Sequence, residues 1–497
     1  MNRINRINRL KIILCLSLFF SVSITIYAQT LITYDGALEI AMENSPNIKR
    51  TLLSLERSRE LLNAQNAALK SSFRLSLNPF SFSRDRTFNR FFSAWSTNES
   101  KESMGTFSIT QPIKETDGTL SLINRFSWQD SYSDYGEGKR DKTFNNNLYL
   151  SFEQPIFTYN RTKLELTELE LDLETTSLTF AVQRLGLESQ VANSFYSVYQ
   201  NKMSLDISKE ELQNQERSFE IIKNKVDAGL AALEEFYQAE LNLASSKSSL
   251  QNREVSLENS LDNLKLQIGI PLNETITVEA DVGYEVVDVD LDRAMNLALK
   301  NRLELRQREI SLENAEYSLI RTKAMNEFSG SITLSYGITG TEEDFVDLYD
   351  VPTKRQTVGI SLDIPLWDWG EKKSRIKASE TTIKSQKLSL EDERNNIIIS
   401  IRQAQRSFQN IINQIEIARQ SITNAERTYE INLERYRNGD LTSMDLSLYQ
   451  NQLSQRKMGL VQVLISYKLA LLDLKIQCLW DFERNEPVIP EKIIWKE

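Results

Sequence analysis

Any chemistry in this chain has to be done without histidine, because none occurs among its 497 residues. That removes the commonest general base, the Ser-His-Asp and Cys-His arrangements, and most zinc and iron sites. Carboxylates are abundant, 69 Asp and Glu against 59 Lys and Arg. They stand at helical surface spacing beside basic residues, as in KEELQNQERSFE at 209–220, the pattern of a solvated helix face. No phosphate loop of the GxxxxGK or GxGxxG type is present. Cys15 lies in an apolar leader, which leaves Cys478 alone, so neither an intrachain disulfide nor a cysteine metal site is expected. The residue set points to no catalytic, metal or cofactor role, and an enzyme is not expected. The titratable residues with distinctive placement are Glu235 and Asp445, each six positions after an isolated glycine (Gly229, Gly439), and Tyr436, three before the second glycine.

The elements that must position those residues are written twice. Residues 156–270 and 366–486 contain no proline, and each stretch is interrupted near its middle by Gly229 or Gly439. Both follow the same kind of strand ending, LSFEQPIF (150–157) and SLDIPLW (361–367). Pro155 and Pro365 are 210 positions apart, as are Gly229 and Gly439. The halves therefore stay in register, the mark of an internal repeat. Leu166, Leu173, Phe180 and Leu187 recur every seven residues, and so do Ile376, Ile383, Leu390 and Ile397, the same set shifted by 210. A seven-residue stripe predicts left-handed coiled packing.

The first residues read as a signal peptide: basic MNRINRINRLK, an apolar run, and a cleavage point after Ala28. Cleavage removes Arg3, Arg6, Arg9 and Lys11 and no acid, leaving 55 basic against 69 acidic residues, a net charge of −14. Nucleic acid is not expected as a partner, since phosphate binding needs a basic face. No later apolar run is long enough for a membrane helix. An exported chain of this kind is either soluble outside the cytoplasm or inserted as a β-barrel.

Strand patterning favours the barrel. Phe73, Leu75 and Leu77 alternate with polar residues, as do Ile332 and Leu334, Leu148, Leu150 and Phe152, and Val358, Ile360, Leu362 and Ile364. Two further candidate strands, 105–113 and 118–128, flank a turn at Asp117-Gly118. They account for most of the 47 extra positions in the first half, and whether they join a barrel is open at this stage. From residue 158 to Gly229 is ~105 Å of helix, whereas the return arms 231–268 and 441–480 are much shorter. The amino-terminal helix 33–70, stacked end to end on 231–268, would restore the length. The expected plan is mainly α with β. Repeat one, 29–270, holds a helix, strands within 73–157 and a long hairpin 158–268. Repeat two, 271–497, holds helix 291–327, strands 330–366, a hairpin 370–482 and a C-terminal tail.

Taken together, the doubled plan, the opening ALEIAMENSPNI (37–48), the QPIF and IPLW junctions and the glycine-centred hairpin tips resemble the TolC-type outer-membrane efflux proteins. QPIFTYNRTK (154–163) is similar to the form found in Bacteroidetes members. The resemblance covers nearly the whole mature chain. It implies a homotrimer with four strands per protomer in one 12-stranded barrel within outer-membrane lipid. Beneath it, a coiled helical tunnel would cross the periplasm to a periplasmic adaptor (membrane fusion) protein and an inner-membrane pump. Such a channel-tunnel exports small molecules or polypeptides in tripartite efflux or type I secretion. The alternative is a periplasmic coiled-coil scaffold or adaptor without a barrel.

The family closes its periplasmic end with an acidic, tyrosine-containing ring. On this pattern the resemblance makes Glu235, Tyr436 and Asp445 pore-gate candidates and gives Gly229 and Gly439 an adaptor-docking role. The chain departs from it at Leu448, where the family has a second Asp, and at Leu441, where it has a basic residue. Read from the residues alone, TSMD (442–445) is also a capping box, and both glycines are turn residues.

Overall fold

The computed structural model describes residues 30–90, 93–134 and 140–488; the leader and the end of the tail lie outside them. The chain runs β1 (Thr30–Ile32), α1 (Tyr34–Asn44), α2 (Pro46–Ala68), β2 (Ser72–Asn89), β3 (Ala94–Ile113), β4 (Gly118–Ser133), β5 (Arg140–Ile156), α3 (Arg161–Asp227) and α4 (Leu233–Ile268). After β6 (Ile276–Val278) the order returns with two strands. It comprises α5 (Leu291–Asn301), α6 (Leu303–Ala324), β7 (Ser329–Glu342), β8 (Thr353–Asp363), α7 (Glu371–Asn438) and α8 (Ser443–Cys478), then β9 (Trp480–Asp481) and β10 (Glu486–Pro487).

The 67 residues of α3 make a rod of ~100 Å, and α2 and α4 both pack along it. They meet end to end. Gly269, at φ +78°, caps α4 so close to the end of α1 that a Cβ there would lie 2.9 Å from the Asn44 carbonyl oxygen. In the second half α7 carries α6 and α8 in the same way, and Asn301 donates to the Cys478 carbonyl at 3.4 Å. Leu479, 210 positions after Gly269, takes the same left-handed conformation at φ 50°. The amino-terminal helices differ from the continuous ones expected: each is broken, at Ser45 (φ −56°, ψ 124°) and at Arg302 (φ −59°, ψ 121°). Pro46 explains the first break, because the residue before proline avoids helical ψ. At Arg302 no proline follows, and the extended residue is held by its guanidinium pairing with Glu304 at 3.1 Å.

The heptad stripes are where the rods pack: Leu166, Leu187 and Ile397 are buried, and Ile376, Ile383 and Leu390 half-buried. The two cores are copies. Leu187, Val191, Val198, Leu264 and Ile268 in one correspond, 210 positions on, to Ile397, Ile401, Phe408, Leu474 and Cys478 in the other. Cys478 thus fills the place of a core isoleucine, and burial pushes its thiol up to about 12. It is a packing residue, inert at neutral pH.

The β-elements form one six-stranded antiparallel sheet, in the order β2-β3-β4-β5-β7-β8. This corrects the four strands per chain implied by the family resemblance: the segments 105–113 and 118–128 lie in β3 and β4, inside the sheet. They are locked there by pairing of β3 with β2, from Ser72↔Thr110 to Asn89↔Ala94, and of β4 with β5, from Thr119↔Glu153 to Tyr132↔Arg140. Their turn is tied to the start of α3, where Asp117 accepts from the Thr162 backbone N–H at 3.1 Å.

Side chains alternate across the sheet. One face carries Phe73, Leu75 and Leu77, Leu120 and Leu122, Leu148, Leu150 and Phe152, Leu334 and Ile338, and Val358, Ile360 and Leu362. Phe73 is 69% exposed and Val358 74%, so among the described residues the apolar band is uncovered except at its outer end, where the β7–β8 loop packs Phe345 on Phe126 and Phe144. The opposite face is Ser, Thr and Asn with scattered charge. The sheet also slants. Ser72, at the helix-proximal end of β2, shares a cross-strand row with Thr357, six residues short of the corresponding end of β8 at Asp363. Six residues over five strand spacings is a slope of ~40°, the tilt of strands in a transmembrane barrel. Aromatic pairs mark both limits of the apolar face: Phe126, Phe144 and Phe345 at one end, Phe157 with Phe328 and Trp367 with Trp369 at the strand-to-helix junctions. No helix among the described residues is long and apolar enough to cross a membrane.

Candidate functional site at the hairpin tips

Both tips close by the same backbone device. At the first, Gly229 (φ 73°) follows α3, its N–H bonding to Val226 O and that of Leu230 to Lys225 O. At the second, Gly439 (φ 89°) follows α7, and the bonds run from Gly439 to Tyr436 O and from Asp440 to Arg435 O. These are Schellman closures, and their acceptors, too, are 210 positions apart. A Cβ on either glycine would meet nothing within 4 Å, so the requirement is positive φ and not space.

The second return arm starts at a cap. Thr442 accepts from the Asp445 backbone N–H at 3.2 Å, and its hydroxyl donates to the Asp445 carboxylate at 2.7 Å. The box closes side chain to side chain, in place of the usual capping-box bond from the third residue back to the cap's backbone N–H. The first return arm starts at Ala232 with no side-chain cap, and Glu234 and Glu235 supply the negative charge that suits a helix N-terminus.

Of the three candidates, Tyr436 and Glu235 are near enough for the charge of one to act on the other. Tyr436 is 1% exposed, with its ring between the helices and its hydroxyl donating to Ser218 O on α3 at 3.3 Å. Lys225 donates to the Tyr436 carbonyl at 2.7 Å while its ammonium sits 4.9 Å from the ring centroid. Burial first, and the charge of half-buried Glu235 second, push the Tyr436 phenol up to about 12. Asp445 stands apart, exposed in its cap. Lys225 and Ser218 were not singled out from the sequence. The available signal was the repeat itself, because Lys225 aligns with Arg435 in the last turn before each glycine. Farther up, α3 and α8 are joined by Gln450 donating to Glu211 O at 2.8 Å and by Lys457 with Glu210 at 2.7 Å. Among the described residues no cluster of His, Cys, Asp or Glu is arranged to hold a metal.

A sheet with a bare apolar face and barrel tilt, standing on helical rods of ~100 Å, defines a membrane channel-tunnel. The profile of the outer membrane efflux protein family matches residues 119–269 and 294–475, and the chain belongs to that family. It is an outer-membrane efflux channel whose rods extend into the periplasm. Among solved structures it is similar to the Campylobacter jejuni CmeC outer membrane channel, at 17% identity and TM-score 0.68, covering 90% of this chain and 85% of that one. The Vibrio cholerae outer membrane protein VceC matches at 14% identity and TM-score 0.66, covering 89% and 95%. The open-state MtrE outer membrane channel of Neisseria gonorrhoeae matches at 14% and 0.66, covering 91% and 90%. No curated protein matches the chain. The alternative of a scaffold without a barrel leaves the six-stranded sheet and its apolar face without a role.

Proposed function

We propose that three copies of the chain share one barrel and one tunnel. A periplasmic adaptor and an inner-membrane pump deliver small molecules or polypeptides to the tips, and the duct releases them passively outside. The observation that carries this reading is the pair of unpaired sheet edges. Among the described residues β2 and β8 have no partner on their outer sides, although both carry apolar residues on the face read as lipid-facing. Unpaired backbone groups in hydrocarbon cost several kcal/mol each, so the edges must meet other copies. With six strands from each chain, three copies close at eighteen, a wider barrel than the twelve implied by the family pattern. Leu52, Leu53, Tyr237, Leu241, Ile399 and Ile417 are exposed along the rods of a single chain and would be covered by neighbouring copies.

Glu235, Tyr436 and Asp445 are proposed to set the tip aperture, with the two glycine turns docking the adaptor. Three copies place six carboxylates around one mouth, where like charges repel and attract cations. In planar bilayers the purified protein should give steady ion-conducting steps with cation preference. Asp445→Ala should reduce that preference and weaken block by trivalent cations. Thr442→Ala, which removes the cap at a cost of ~1 kcal/mol, should leave the reversal potential unchanged. Equal reversal potentials for wild type and Asp445→Ala under a salt gradient would remove Asp445 from the gate and leave the tunnel intact.

A further inference from the structure

The polar face of the sheet holds a recess lined by Arg125, Asn147, Tyr149, Gly337, Thr339 and Arg355. Pairing runs Arg355↔Gly337↔Tyr149↔Ile123, and Arg125 is two residues from Ile123 on the same face. The two arginines therefore stand three strand spacings and two residues apart, ~16 Å, on either side of the recess. Gly337 forms part of its floor: a Cβ there would fall 2.5 Å from the Tyr149 Cβ, so no larger residue can occupy that point. The Asn147 side-chain oxygen accepts from the Thr339 hydroxyl at 2.7 Å, which leaves the Asn147 amide as a donor.

Charge on this part of the wall is of one sign. The four cross-strand rows from Ser121–Ser151 to Ser127–Asn145 carry Arg74, Arg125 and Arg355 on the polar face and no carboxylate. The nearest acids along the strands are farther off. Glu102 pairs with Gln129, four residues from Arg125; Asp141 and Glu153 are each six residues from Asn147, and Glu342, on the opposite face, is five from Gly337. At ~3.3 Å per residue these are ~13, ~20 and ~17 Å away along their strands, beyond a Debye length of ~8 Å at physiological ionic strength. Neither Arg125 nor Arg355 makes an ion pair among the described residues.

We infer that this recess is an anion-binding site on the lumen wall, taking exported solutes or chain segments that carry two or more carboxylate or phosphate groups. It rests on the reading of the polar face as the lumen of a shared barrel. Guanidinium forks match such groups bidentately, and two of them ~16 Å apart favour an extended polyanion over a single one. Arg355 lies two residues from the outer end of β8 and Arg125 eight from that of β4, so the site runs from the rim of β8 to the middle of β4.

The test uses the full-length protein and inorganic tripolyphosphate. In planar bilayers, tripolyphosphate added on the barrel side should reduce the current. Arg125→Gln/Arg355→Gln should raise the half-blocking concentration at least tenfold, and Arg125→Lys/Arg355→Lys should keep most of the block. The block should also weaken steeply with added salt. A change of less than twofold in the Gln variant would overturn the site. A second readout does not depend on that variant folding or on conduction. Tripolyphosphate should slow modification of wild-type Arg125 and Arg355 by phenylglyoxal, followed by peptide mass analysis. Unprotected arginines in a well-formed trimer would refute the inference, whereas a chain that forms no trimer would refute the shared-barrel reading beneath it.

Discussion

Leu150→Arg should prevent the protein from accumulating in the outer membrane, while Ser151→Arg, one residue on, should be tolerated. The two positions are neighbours in β5 on opposite faces. Leu150 pairs with Leu122 and Tyr336 on the apolar side, and Ser151 with Ser121 and Ser335 on the polar side. An arginine on the lipid face of a barrel costs ~2–4 kcal/mol near the bilayer midplane, and a shared barrel incurs that cost once per copy. A lumen arginine remains solvated and adds to a wall that already holds Arg125 and Arg355. Carbonate-washed outer membranes, probed for the protein, distinguish the outcomes. Equal amounts of both variants would mean the faces are misassigned.

The second large effect is expected at the tip. Tyr436→Ala should splay the second hairpin from the first and raise single-channel conductance, because the ring is the buried contact between α7 and α3. Truncating a buried aromatic costs ~3–5 kcal/mol. By contrast, Tyr436→Phe removes only the long hydroxyl contact to Ser218, a loss nearer ~1 kcal/mol. Lys225→Ala should resemble Tyr436→Ala and add little to it, since the two side chains touch and their effects are not independent. The pH dependence has a definite sign. The folded phenol titrates near 12, above the ordinary tyrosine value of 10. Its contribution is therefore complete below pH 10 and declines as pH rises through 12. Conductance should be insensitive to Tyr436 through the neutral range and increase in strong alkali, and Tyr436→Phe should abolish that increase. Wild-type conductance and tip protease resistance in Tyr436→Ala would exclude the residue from the closure.

Much of this architecture was legible because it depends on periodicity. The 210-residue register, the heptad stripes and the two glycines are all visible as spacing, and the core pairs Leu187–Ile397 and Ile268–Cys478 follow the same offset. The length of the sheet was less legible. Alternation identified Phe73 to Leu77 as a strand, yet β2 continues to Asn89 and β3 begins at Ala94. Beyond the apolar band polar residues face one another on both sides, as in Arg84 with Glu99 at 3.2 Å and Gln129 with Ser100 at 3.3 Å, between scattered aromatics such as Phe88 and Trp95, so alternation carries little signal there. The number of strands per chain was obscured for a related reason: the β3–β4 hairpin was visible at Asp117-Gly118, but its pairing to β2 and β5 runs on through those polar stretches. The break at Arg302 was invisible without a proline to mark it. At the tip, spacing located Tyr436, but that it closes on Lys225 and Ser218 depends on how two hairpins pack, which neither hairpin encodes alone.

Native mass measurement of the full-length, processed protein in mild detergent tests the shared barrel most directly. A single species at three times the chain mass, stable until the detergent is made denaturing, is the predicted result. A monodisperse monomer that still partitions with outer membranes would contradict it, because six strands with two open edges would then be persisting in lipid without a partner.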